Sequence, residues 1–274
     1  KAKSHFRQVK DHIEVYETIY GEYPWYRDGF KLIESPYSGM EHQTAIAYGA
    51  GYKNDLPFFK KPDKKTDDYI LLHEIGHEWF GNSITASDLC DVWLQEGFTT
   101  YGESLYLEKK YGYEEAIKHL ILYRFMIKNK RSVVGPYGRR CFDANKSSDV
   151  YPKGAWILHS LRNTIDNDSL FFSMIKKFYN DNKLSVINSK TFIDLVNQET
   201  KKDFNWFFDQ YLNHNKVPIL EYYLSGNGVF YYRWIDIIEN FKNLPVSIKF
   251  INREQDIIYP SNEINTLDIS ILDK

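Results

Sequence analysis

The stretch Tyr69-Ile70-Leu71-Leu72-His73-Glu74-Ile75-Gly76-His77-Glu78-Trp79-Phe80-Gly81-Asn82, followed by Trp93-Leu94-Gln95-Glu96-Gly97-Phe98, decides how the chain is read. It contains His-Glu-x-x-His, and on a helix of 3.6 residues per turn the two histidines, four apart, project from one face and can share a metal. Glu96, eighteen residues beyond His77 and on the next helical segment, adds a carboxylate. His73, His77 and Glu96 then form a two-histidine, one-carboxylate set with a fourth position open, the arrangement of catalytic zinc. With only 8 histidines in 274 residues, the five-residue motif arises by accident roughly once or twice in a hundred such chains, and the full trio about once in a thousand. The trio is therefore read as a Zn²⁺ site, one ion per chain, rather than as core histidines. Glu74 lies beside the first ligand on the adjoining helix surface, where it can carry a proton from water to a leaving amine, so the reaction class is metal-assisted amide hydrolysis. Asp91, Asn82 and Glu103 are candidates to fix the histidine tautomers.

Composition narrows the class. Lys+Arg 35 against Asp+Glu 37 leaves a net charge of −2, so no basic field recommends nucleic acid or an anionic membrane. Aromatic residues make up 17%, which favours a packed protein with aromatic-lined clefts. Cys90 and Cys141 could be one bridge or two free thiols; two inert thiols are expected. No apolar run reaches the length of a transmembrane segment and no leader opens the chain. A start at Lys1 without Met suggests a piece of a longer protein.

Along the chain, Phe6, Val9, Ile13, Tyr16 and Tyr20 predict an amphipathic helix over residues 4 to 21. Two short apolar segments around Pro36 and Gly39 predict a strand, a bend and an edge strand, where an extended peptide could add. Glu41 on that edge reads by itself as a solvated charge. Residues 51 to 65 read as a surface loop, and Asp67 or Asp68 as the cap of the motif helix. Further helices are predicted over 92 to 111, 114 to 128, 168 to 181, 189 to 200 and 203 to 214. A loop spans 131 to 149, and its Arg139-Arg140 pair reads as solvated, with a substrate carboxylate as the other use. Pro152 suits a first helical position, so Tyr151 stands at a helix entrance where a phenol could donate to an oxyanion. After Val217-Pro218 the pattern turns to strands at 220 to 224, 228 to 235, 246 to 251 and 266 to 272. The chain is thus expected to be α+β: a mainly helical domain over 1 to 215 with a small antiparallel sheet at its start, then a small all-β sandwich-like unit over 216 to 274.

His73-Glu74-x-x-His77 with Glu96, the trailing Trp79-Phe80-Gly81-Asn82, Trp93-Leu94-x-Glu96-Gly97-Phe98, Ser38-Gly39-Met40-Glu41-His42 and Tyr151-x-Lys153-Gly154-Ala155 together resemble the aminopeptidase N type of zinc peptidase, the gluzincin aminopeptidases. The likeness covers roughly residues 1 to 215. It implies a thermolysin-like catalytic domain acting on peptides with a free N-terminus. It also implies that Glu41, within a substrate-binding segment that includes Gly39 and Met40, binds the substrate's α-ammonium, and that Tyr151 stabilises the tetrahedral oxyanion. The family's Gly-x-Met-Glu-Asn motif has Ser38 for its first glycine and His42 for its asparagine here. An N-terminal β-domain of the parent protein is expected to pack on the cleft. Rival readings are a leukotriene-type hydrolase that opens an epoxide with the same metal, a catalytically silent zinc-binding module, and an endopeptidase indifferent to a blocked N-terminus.

Overall fold

The computed structural model describes residues 1–54, 67–138, 148–242, 244–249 and 256–269. The first compact unit comprises Lys1–Lys128 and Val133–Lys202, and the second Asn129–Ser132 and Asp203–Lys274. The two units divide at Lys202/Asp203, and the domain limit expected from the sequence lies after residue 215. The aromatic helix that begins past Asp203 packs Trp206 edge-on against Phe241, with ring centroids 5.0 Å apart. Gln210 then donates to the Lys216 carbonyl and accepts from the Ile238 amide.

In the first unit the predicted opening helix is two, α1 (Ala2–His5) and α2 (Gln8–Ile19), with His12, Tyr16 and Ile19 of α2 buried. β1 (Leu32–Glu34), β2 (Gly39–Met40) and β3 (Ile46–Tyr48) follow. The sheet order is β1-β3-β2, with β1 parallel to β3 and β2 antiparallel to it. The expected antiparallel sheet is therefore mixed, because the chain crosses from β1 over to β2 before β3 returns between them. α3 (Tyr69–Gly76) is capped by Asp68, whose side chain accepts from the Leu71 amide, and is buried from Leu71 onwards. Its six buried residues in succession make it a core helix with a polar end, not a surface helix with one apolar stripe.

β4 (Ile84–Ala86) leads into α4 (Trp93–Tyr111), buried without interruption from Trp93 to Leu94 and from Glu96 to Tyr106. α5 (Tyr113–Arg124) comes next, then α6 (Pro152–Ile165), α7 (Asp168–Asn182), β5 (Ser185–Ile187) and α8 (Ser189–Thr200). β5 pairs in parallel with β4, a connection absent from the sequence reading. Phe80, Phe98, Phe178 and Phe192 form one cluster of rings, Phe80 stacked on Phe98 with centroids 4.5 Å apart and Phe178 tilted against Phe192 at 4.8 Å. Trp93 donates from its indole to Ser189 Oγ at 2.7 Å, so the start of α4 is held by both apolar packing and a satisfied polar tip. Where α4 and α6 cross, a Cβ on Gly154 would lie 2.7 Å from the Cα of Gly97. Only hydrogen at both positions allows that approach.

Among its described residues the second unit contains α9 (Asn205–Phe208), a π-helical turn at Asp209–Asn213, and the strands β6 (Ile219–Leu224), β7 (Val229–Ile235), β8 (Val246–Ile248), β9 (Asp256–Ile258) and β10 (Asn265–Asp268). They form a β10-β7-β6 sheet and a β8-β9 pair, all antiparallel. The molecule is α+β, mainly helical with small sheets. Among the described residues no helix is long and apolar enough to cross a membrane. Cys90 is buried, while Arg139, Arg140, Cys141 and most of the 51 to 65 loop lie outside the described residues.

Candidate metal centre

α3 ends inside its own motif. Its last turn places His73 and Glu74 on the helix and His77 at the C-cap, with the His77 amide bonded to the His73 carbonyl. The first turn of α4 brings Glu96 against them. His73 Nε2 and His77 Nε2 lie 3.1 Å apart, and Glu96 Oε2 lies 3.5 and 3.3 Å from them. All three residues are at least nine-tenths buried, yet Glu96 Oε2 makes no hydrogen bond. Two imidazole nitrogens and a buried, unsatisfied carboxylate oxygen converging on one point is the donor set that a tetrahedral zinc ion takes. The residues fit the metal.

The opposite ring atoms support this orientation. His73 Nδ1 lies 2.6 Å from Glu103 Oε1, and Glu103 is fully buried. Its other oxygen accepts from the Tyr123 hydroxyl at 2.8 Å. His77 Nδ1 lies 2.9 Å from the Phe80 carbonyl. Both acceptors take an Nδ1–H, which leaves each Nε2 lone pair facing Glu96. Of the three residues expected to fix tautomers, Glu103 does so. Asp91 instead accepts from Ser189, and Asn82 donates to the Glu41 carbonyl and to Glu78. A backbone carbonyl that Asn82 does not supply serves His77, because the chain turns sharply after α3 and brings Phe80 back under the ring.

Glu74 lines the same cleft. Burial raises its pKa, with His73 and His77 acting in the other direction, and its Oε2 makes no hydrogen bond. β2 runs directly over it: a Cβ on Gly39 would come 2.4 Å from Glu74 Oε1. The next residues carry Glu41 in, so that a ligand-type atom of each of Glu41, Glu74 and His77 lies within 4.8 Å of the others. Met40 is exposed on the edge strand, and His42 is exposed on the turn that follows. Tyr151 is the N-cap residue of α6, with Pro152 in the first turn, as the sequence suggested. Its ring stacks on His73 at 6.0 Å, and its hydroxyl donates to Glu96 Oε1 at 2.9 Å. Although burial opposes ionisation, the two imidazoles hold the Glu96 carboxyl well below the usual carboxylate range. Burial and then Glu96 push the Tyr151 phenol well above its ordinary value, so it stays protonated and able to donate.

All eight sequence-predicted site residues, His73, Glu74, His77, Glu96, Gly39, Met40, Glu41 and Tyr151, belong to the first unit, and β2, α3, α4 and the start of α6 bring seven of them to one cleft. Met40 lies on the exposed edge beside it. The sequence reading missed Glu78. This fully buried carboxylate immediately follows His77; its signal was an acidic residue inside an otherwise apolar run.

The Peptidase family M1 domain matches residues 5–211. This chain belongs to the peptidase M1 family. It is 30% identical over 153 residues to aminopeptidase Q of Acinonyx jubatus, an alignment covering 52% of this chain and 15% of that protein. Among solved structures, the M1 zinc metallopeptidase from Deinococcus radiodurans superposes with a TM-score of 0.60 at 19% identity, covering 77% of this chain and 45% of that one. Legionella pneumophila aminopeptidase A, solved in complex with aspartic acid, gives 0.65 at 16% identity, covering 97% of this chain and 32% of that one. At such identities the two structures share the fold. This chain spans less than half the length of each of these proteins.

Proposed function

We propose that this chain is the catalytic part of a zinc aminopeptidase that hydrolyses the N-terminal peptide bond of peptides. The observation that carries the reading is the position of Glu41, whose carboxylate stands beside Glu74 and His77 at the edge of the donor trio. An anion there pairs with the substrate's α-ammonium and leaves the first peptide bond over the reactive groups. In this reading the helical unit is a thermolysin-like catalytic domain and the β-unit a small sandwich. His73, His77 and Glu96 would hold one zinc ion, which would supply Lewis acidity and lower the pKa of water.

The protein's own groups do the rest. Glu41 anchors the amine, and the backbone of Gly39 and Met40 alongside it guides the substrate as an added strand on β2. Glu74, desolvated and without a hydrogen bond on Oε2, accepts the proton of the attacking water and delivers it to the leaving amine. Tyr151 exchanges its bond to Glu96 for one to the carbonyl oxygen as charge develops there. Glu103 and the Phe80 carbonyl keep both imidazoles in place throughout. Glu74→Gln preserves every metal donor and removes the proton carrier. The variant should bind one zinc per chain and lose roughly 10²–10⁴-fold in kcat, measured by metal analysis beside anilide hydrolysis. Near-normal turnover would overturn the mechanism.

A further inference from the structure

We infer that Glu78 and Asn82 are positioning residues that tie the amine anchor Glu41 to the metal-binding helix; the inference rests on the anchoring reading of Glu41 proposed above. The turn from Glu41 to Ala45 joins β2 to β3 and holds no regular ladder. Its shape is set instead from the segment just beyond α3. Glu78, fully buried, accepts the Thr44 amide through Oε1 at 2.8 Å and the Tyr23 hydroxyl through the same atom at 3.4 Å. Its Oε2 accepts from Asn82 Nδ2 at 3.2 Å. Asn82 Nδ2 also donates to the Glu41 carbonyl at 2.8 Å, while the Asn82 amide donates to the His77 carbonyl at 2.9 Å. One residue therefore bonds the main chain of a metal-site histidine and the main chain of Glu41.

Thr44 adds a second observation. It is a β-branched residue at φ 55, a left-handed conformation that such residues rarely adopt unless the surroundings enforce it. The enforcing contact is the bond from its own amide to Glu78. The Thr44 amide on Oε1 and the Asn82 side-chain amide on Oε2 both donate to the Glu78 carboxylate, so an acceptor on both oxygens is required. A glutamine of the same size would turn one N–H against a donor.

The test uses the full zinc-loaded chain with Glu78→Gln and Asn82→Ala, each alone and in a Glu41→Ala background. Calorimetry measures binding of an amino-acid hydroxamate and of its analogue lacking the amine, and zinc content is measured alongside. Either substitution should weaken the amine-bearing probe roughly tenfold, the loss expected for one hydrogen bond in a charged network. It should leave the amine-free probe and the zinc stoichiometry unchanged, and have no further effect once Glu41 is alanine. In turnover the same change appears in KM with kcat held within about twofold. Should Glu78→Gln fail to fold, the half-buried Asn82 decides alone. Equal weakening of both probes, or an undiminished effect in the Glu41→Ala background, would overturn the positioning role while leaving the anchor intact. A wild-type chain that binds both probes equally would instead overturn the anchor reading, and this inference with it.

Discussion

Glu103 decides which nitrogen of His73 faces the donor centre. Its carboxylate has no exposure to water and takes bonds from His73 Nδ1 and the Tyr123 hydroxyl. Burial raises its pKa, and the His73 and Tyr123 bonds oppose that rise. Replacing it with alanine removes the acceptor that holds the ring and leaves the tautomer free. Glu103→Ala should weaken zinc binding by about 10–100-fold, read from chelator competition, whereas an unchanged affinity would return Glu103 to a purely structural part. At this scale the sequence was informative wherever a residue's chemistry and its spacing agreed, as for His73, His77 and Glu96. It was silent on Glu78, because the partners that make this carboxylate matter are a backbone amide 34 residues away and a side chain four residues on. Nothing in the identity of Thr44 announces a left-handed turn.

At the scale of elements, the cleft depends on how closely α4 and α6 approach. The Gly97–Gly154 contact fixes the start of α6, and hence Tyr151, against the turn that carries Glu96. Gly154→Ala must push the helices apart, at a cost of about 1–3 kcal/mol in stability. The same variant should lower kcat more than it raises KM, since Tyr151 loses its place while Glu41 keeps its own. Denaturant unfolding and steady-state kinetics measure the two effects, and a variant with wild-type values in both would show that the contact is slack. Some helix starts were legible because local signals mark them, as Asp68 does for α3 and Pro152 for α6. The β4–β5 pair was not, since it joins two three-residue strands about a hundred positions apart and neither carries a pattern long enough to read. The parallel β1–β3 pairing spans only 14 positions, but three residues in each strand carry no pattern that shows β3 returning between β1 and β2.

For the folded chain as a whole, acid sensitivity follows from histidines outside the candidate metal centre. His12 is buried with no hydrogen bond on either ring nitrogen, and burial lowers its pKa to about 4; burial and then Arg162 lower that of His159 to about 4 as well. Both remain neutral in the folded chain at pH values where the unfolded chain, near 6.5, already binds protons. The unfolded state therefore gains protons first as pH falls, so stability is complete above about 6.5 and declines down to about 4. Each group contributes up to roughly 3 kcal/mol across that window. Midpoints of denaturant unfolding should fall accordingly, and His12→Phe should flatten the slope; a variant with the full wild-type slope would remove His12 from the account. The measurement that tests the central claim most directly compares hydrolysis of amino-acid anilides bearing free and acetylated N-termini by the zinc-loaded protein, with Glu74→Gln as the blank. The account predicts cleavage of the free series alone. Cleavage of both series would contradict the anchoring role of Glu41, and cleavage of neither would contradict the enzyme itself.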